Sequence, residues 1–395
     1  MPNRLAALLA VAVLSLTACS TTRPAGGPPA SSAAATTASA QPTSQFFDQA
    51  AYDKQLAWRK ATPAGDPSKP WLQAIEPQMA DTAKFKKPGP WHVCFSNAGV
   101  GNPWRVTGLT TMKEEVKLHK EIGEFTVVDA EGKDDKQISD ISDLLGKKCD
   151  AMIISPNTTA ALTPAVEKAC QSGVPVVVFD RGVTTDCPVS FVHPIGGYAF
   201  GADSAEFIAS KMPKGGKVLA LRILPGVDVL ENRWEAARLT FQQAGANVVG
   251  AEFTDGDPAK VKTIVSDYLQ RFGDLDGVWM DAGATTVAAV EAFQDAGKPV
   301  PPINGEDQQD FLALWQKDKL TAMAATYPVY QWRTAVIAAT DILSGEQVPK
   351  EWVLPEPVIT DQNLAQYVTP NMPPLFYPTC GCQDMPGFPQ TWGGK

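Results

Sequence analysis

From Trp91 onward the chain repeats one unit, a short apolar run followed by an amphipathic, helix-length stretch of roughly 15 residues. A run such as Val176-Val177-Val178-Phe179 carries no polar alternation. Such a strand needs cover on both faces, which the crossover helices of a parallel sheet supply. The rhythm predicts strands at 91–96, 125–130, 151–155, 174–180 and 190–193, with helices at 104–122, 134–147 and 159–172. It then predicts helices at 198–211, 231–244, 258–271 and 285–296 alternating with strands at 217–223, 248–253, 277–281 and 302–304. Two such series in one chain predict an α/β fold of two doubly wound, Rossmann-like lobes with a cleft between them.

The first 90 residues do not follow this rhythm. Arg4, an apolar run over 5–16 and the sequence Leu16-Thr17-Ala18-Cys19 read as a signal peptide over 1–18, because the run is shorter than the about 18 residues a membrane span needs. Its ending resembles the lipobox of bacterial lipoproteins. That resemblance implies lipidation at Cys19, an exported chain and a membrane anchor with the folded part outside the cytoplasm. Residues 19–45 are mostly Ser, Thr, Ala, Pro, Gly and Gln, a composition that cannot offset its ordering entropy, and are expected to be a flexible tether. Two amphipathic stretches, 46–60 and 71–86, predict an outer helical extension over 46–90.

Composition and motifs exclude several functions. Asp and Glu outnumber Lys and Arg by 43 to 34, a net charge of −9 without a basic run, which argues against a nucleic-acid partner. The chain has no Gly-x-Ser-x-Gly elbow, no phosphate-binding glycine loop and no clustered histidines, so neither an enzyme nor a bound cofactor is expected. Six cysteines remain after Cys19, and an oxidising compartment allows pairing among Cys149, Cys170, Cys187, Cys380 and Cys382, with the connectivity open. Cys94, inside an apolar run, is expected to be a buried free thiol. Zinc is the competing reading, but no Cys-x-x-Cys pair exists and no metal is expected.

In open α/β sheets ligands sit beyond the carboxyl ends of the strands. The polar residues at those positions are Asn102, Trp104 and Arg105 in the loop after the first strand, Asp180 and Arg181 after the fourth, Arg233 near a helix start, Asp281, and Asp307 in Gly305-Glu306-Asp307. Carboxylates accept and guanidiniums donate to sugar hydroxyls, and an indole covers an apolar sugar face. Removal of the Asp180 carboxylate is expected to abolish binding while leaving the unliganded fold intact.

The order of elements, the Asn102-Pro103-Trp104-Arg105 loop, the Val176 to Arg181 strand end and Gly305-Glu306-Asp307 resemble the type I periplasmic sugar-binding proteins, of which ribose-binding and galactofuranose-binding proteins are examples. The resemblance implies a three-strand hinge near Gly196, Thr326 and Glu356, and adds Tyr327 to the cleft. It divides the chain into one lobe of 91–196 plus 328–356, a second of 197–327 plus 357–360, and a surface tail over 361–395. It further implies a monomer that delivers a carbohydrate or polyol to an ABC-type permease. An acidic sugar, favoured by three arginines against two aspartates, and a sensor role remain alternatives. Two positions depart from the family pattern, Trp279 to Ala282 and Gly197-Tyr198, so the solute's identity does not transfer.

Overall fold

The computed structural model describes residues 45–395. The expected signal peptide, Cys19 and all but the last residue of the tether lie outside the described residues. Helix α1 (Gln49–Trp58) and strand β1 (Met79–Ala80) precede the repeat. The first series runs β2 (Trp91–Asn97), α2 (Pro103–Leu118), β3 (Ile122–Asp129), α3 (Asp134–Gly146), β4 (Ala151–Ser155), α4 (Thr159–Gln171), β5 (Val176–Phe179) and β6 (Ser190–Pro194). The second runs α5 (Gly197–Lys211), β7 (Lys217–Arg222), α6 (Asp228–Ala244), β8 (Asn247–Phe253), α7 (Pro258–Phe272), β9 (Gly277–Met280), α8 (Thr286–Asp295), β10 (Ile303–Gly305), α9 (Gln309–Asp318) and β11 (Ala322–Ala325). The chain then returns through α10 (Gln331–Ser344), β12 (Val348–Pro349), β13 (Glu351–Leu354), β14 (Val358–Ile359) and α11 (Leu364–Tyr367).

Two six-stranded sheets result, ordered β13-β6-β5-β4-β2-β3 and β14-β11-β10-β9-β7-β8. The first is parallel throughout, and the second is parallel except for the edge strand β14. Three segments cross between them, β6 to α5, β11 to α10 and β13 to β14. In each sheet the order reverses beside the first strand of its series, between β2 and β4 and between β7 and β9. Those gaps are where adjoining loops diverge and leave room for a ligand. Among the described residues no helix is long and apolar enough to cross a membrane.

Three expectations fail here for physical reasons. Residues 46–60 supply α1, but 71–86 form only short 3-10 turns and β1, because Pro77 stops a helix and Glu76 before it takes a left-handed φ of 47°. Cys94 is not a free thiol but is bonded to Cys149. The parallel pairing of β2 with β4 sets Val93 against Ala151 and so brings the two cysteines together. Cys170 pairs with Cys187, and Cys380 with Cys382. The His92, Cys94 and Cys149 grouping therefore has no free thiolate for zinc.

The third difference is the tail. Expected on the surface, residues 361–395 instead bury Phe376, Tyr377, Cys380, Cys382 and Trp392 against the first lobe's core. Their polar groups bridge the lobes. Trp392 Nε1 donates to Thr111 Oγ1 of α2 at 3.0 Å and Arg333 of α10 donates to the Gly381 carbonyl. On the other lobe, Thr379 N donates to Asp307 Oδ2 at 2.9 Å and the Gln309 amide donates to the Phe376 carbonyl at 2.8 Å.

Candidate functional site

At the first lobe's switch point the carboxyl ends of β2 and β4 present Asn97 and Ser155, and Arg105 reaches both. Its Nη1 lies 3.2 Å from Asn97 Oδ1 and 3.2 Å from Ser155 Oγ, while Nη2 pairs with Asp180 Oδ2. Arg105 stands there because Asn102 caps α2 through the Arg105 amide at 2.9 Å, with Pro103 in the first turn. Both side chains of the Arg105–Asp180 pair are buried. Removal of Asp180 would therefore leave a buried guanidinium without its counter-charge, and the expectation of an undisturbed unliganded fold does not survive. Asp180 also holds a left-handed φ of 70°, an uncommon conformation for a residue with a side chain and one that clusters at functional sites.

The second lobe's switch point is built in the same way. Both Asp281 carboxylate oxygens accept from the Ile223 amide that follows β7, at 2.9 and 3.1 Å. Arg233 Nη1 donates to the Asp281 carbonyl at 2.6 Å and to Glu306 Oε1 at 3.0 Å. Asp307 is taken by Thr379 of the tail through one oxygen, and its other oxygen has no partner among the described residues. Burial pushes the Asp281 and Asp307 carboxyls up to about 7. Between the lobes, the Trp104 indole donates to the Tyr327 carbonyl at 2.7 Å and the Tyr327 hydroxyl donates to the Asp180 carbonyl at 3.0 Å. The Arg233 guanidinium lies 4.9 Å from the Tyr327 ring centre.

The nine candidate residues are thus not all free for a ligand. Asn102 caps a helix, Arg105 braces the first lobe, Trp104 ties that lobe to the crossing residue Tyr327, Arg233 and Asp281 brace the second lobe, and Asp307 receives the tail. Asp180, Arg181 and Tyr327 line an interlobe cavity of about 300 Å³, opposite Asp228, Val229 and Asn232 at the start of α6. Arg181 Nη1 is held by the Asn157 carbonyl, while Nε and Nη2 take no partner among the described residues. Burial, followed by repulsion from Arg105, lowers the Arg181 pKa. Asp180 Oδ1 and the side chains of Asp228, Asn232 and Thr159 make no hydrogen bond within the described residues.

Sequence reasoning missed Thr159, Asp228, Asn232 and Glu306. Asn232 adjoins Arg233 and Glu306 adjoins Asp307, so a search of neighbours at strand ends and helix starts had the signal for both. Larger cavities lie elsewhere. One of about 520 Å³ sits between residues 58–75 and 378–384, one of about 890 Å³ sits beside Trp315 and Thr360, and one of about 410 Å³ sits between Asn102 and Trp392. None of the three contains Asp180, Arg181 or Arg233. The departure at Gly197-Tyr198 has a structural use, since the Tyr198 hydroxyl donates to the Phe46 carbonyl and accepts from the Asp48 amide, both at 2.8 Å.

A family model described as a periplasmic binding protein domain matches residues 93–347. The chain is similar to the ribose import binding protein RbsB of Bacillus subtilis, 31% identical over 274 residues that cover 69% of this chain and 88% of that protein. Among solved structures it is similar to an ABC transporter solute binding protein from Thermobispora bispora, with a TM-score of 0.65 at 24% identity over 78% of this chain and 97% of that one. A solute binding protein from Bacillus halodurans with bound myo-inositol superposes with a TM-score of 0.65 at 19% identity over 71% of this chain and 98% of that one.

Proposed function

The chain belongs to the periplasmic binding protein domain family, and from that premise we propose that it captures a neutral monosaccharide or short polyol between Asp180-Arg181 and Asp228–Asn232. The observation that carries this reading is the set of polar groups left without protein partners around one cavity at the strand ends. Arg181 offers donors, Asp180 and Asp228 offer acceptors, and Asn232 and Thr159 offer both, which is what a row of hydroxyls requires. A volume of about 300 Å³ is at the small end of ligand sites and suits one sugar unit.

The charge balance supports a neutral solute over an acidic one. Arg105 is neutralised by Asp180 and Arg233 by Glu306, so the surplus of arginine counted from sequence disappears. Arg181 is the guanidinium left facing the cavity, and Asp228 lines the same space. Lobe closure about the three crossings, rather than bond chemistry, is the mechanism we assign. Delivery to an ABC-type permease, with the chain held outside the cytoplasm by lipid on Cys19, completes the reading.

A thermal-shift screen of neutral sugars, polyols and sugar acids tests it. A solute at 100 times its Kd stabilises by about 2.7 kcal/mol. A shift with neutral sugars or polyols is expected, and no shift with any member of the panel refutes the assignment. Metabolic labelling with palmitate, lost in Cys19→Ala, tests the anchor.

A further inference from the structure

Helix α1 lies outside the residues matched by the family model, yet Ala51, Lys54, Gln55 and Trp58 form one wall of the cavity that Asp180 and Arg181 line. The helix is pinned to both lobes. Arg59 pairs with Asp203 at 2.8 Å and Glu206 at 2.7 Å on α5, and Lys54 pairs with Glu351 of β13 at 2.8 Å. Trp58 is buried and packs near His193 of β6, with ring centres 6.4 Å apart.

Gln55 is the informative residue. Its Oε1 accepts from the Tyr198 amide at 2.8 Å and the Ala199 amide at 3.3 Å, at the start of α5. Gly196, the residue before that helix, has no side chain to cap it and holds a φ of 126°. A Cβ at Gly196 would lie 2.6 Å from Gln55 Nε2, so the glycine also makes room for this amide. Backbone amides only donate, so the oxygen of Gln55 must face them and Nε2 must turn away. Nε2 makes no hydrogen bond within the described residues, and Gln55 lines the same cavity as Arg181, Asp228 and Asn232.

We propose that α1 is the outer wall of the solute cavity and that Gln55 Nε2 donates to a solute hydroxyl, making this appended helix a determinant of which polyol is held. The inference rests on the reading of this cavity as the solute site. A pinned wall explains how a cleft between two movable lobes is limited to a single sugar unit, and it supplies a donor from a segment outside the matched family domain.

Calorimetric titration of the full chain with D-ribose, xylitol and myo-inositol tests the inference, using Gln55→Glu and Arg181→Ala. Gln55→Glu keeps oxygen acceptors for the α5 amides but removes the donor. It is expected to bind at least one probe about tenfold more weakly, by unequal factors across the three, while Arg181→Ala loses binding. Unchanged affinities in Gln55→Glu together with loss in Arg181→Ala would overturn the wall and leave the cavity reading intact. Parent-like binding by Arg181→Ala, or no binding of any probe by the parent, would overturn the cavity reading and the wall with it. A second measurement does not depend on how well the Gln55 variant folds. In the chain labelled with 5-fluorotryptophan, the Trp58 resonance, assigned through Trp58→Phe, should move when a bound probe is added. A fixed resonance under saturating probe rejects the wall.

Discussion

Tyr327 donates its hydroxyl hydrogen to the backbone carbonyl of Asp180, 3.0 Å away, so a residue of the crossing between β11 and α10 is fastened to the end of β5 in the first sheet. Because Asp180 takes a left-handed φ of 70°, this bond bears on the one backbone unit that aims both Asp180 and Arg181.

Tyr327→Phe removes that bond and leaves a buried carbonyl without its donor, a loss of about 1–3 kcal/mol. The variant should fold, melt a few degrees lower and bind its solute about tenfold more weakly. Calorimetry on a variant with parent-like affinity would show that the bond does not aim the strand end.

Arg181→Ala and Asp180→Ala should part company in the unliganded protein. Arg181 gives up only the bonds of its Nη1 to Asn157, and its removal should leave the melting temperature near that of the parent, with binding lost. Asp180→Ala strands the buried Arg105 guanidinium and should destabilise by about 3–5 kcal/mol. Equal melting temperatures for the two variants would contradict the buried ion pair.

Asp307 sets a dependence on pH. Burial raises its carboxyl to about 7, whereas in the unfolded chain it titrates at about 4. Between those values the native protein holds a proton that the unfolded chain has lost. Its contribution to stability is complete below about pH 4 and declines as pH rises through 7. Asp307→Asn, neutral at every pH, should therefore gain on the parent in melting temperature from pH 4 to pH 8. A difference that stays constant over that range argues against a buried, proton-holding carboxyl.

The Cys94–Cys149 bond closes a span of 55 residues, for which the loop-entropy relation gives about 4 kcal/mol. Cys94→Ala/Cys149→Ala should melt several degrees below the parent and lose less melting temperature to reductant than the parent does, since Cys170–Cys187 remains. Cys380→Ala/Cys382→Ala closes a far shorter span and should cost less than half as much. Comparable losses in the two double variants would count against the loop-entropy account.

The parts of the fold that were legible in sequence are those fixed by local pattern. Val176 to Phe179 is buried on every residue, and a chain with such runs between amphipathic stretches has few ways to fold. The place of Asp180-Arg181 at the end of a strand was legible because the apolar run stops at Phe179. The pairing of Cys94 was not, because it depends on β4, rather than β3, lying on that side of β2. Nor was the engagement of Arg233 by Glu306, or of Asp307 by Thr379, since both arise from segments far apart in sequence. The role proposed for Gln55 leaves no local trace, for a glutamine on a helix looks the same whether it faces water or a cavity.

The tail that fastens Thr379 to Asp307 on one lobe and Trp392 to Thr111 on the other bears on how a loaded receptor is told from an empty one. If the chain serves a transporter as proposed, that partner reads the contrast between two outlines, and ties between the lobes shrink that contrast while reducing the disorder surrendered on capture. A permease working with this receptor would have to respond to a small displacement of the rim. Its discrimination would then come from how long the closed form persists, so that the residence time of the solute, more than the amplitude of the motion, carries the message.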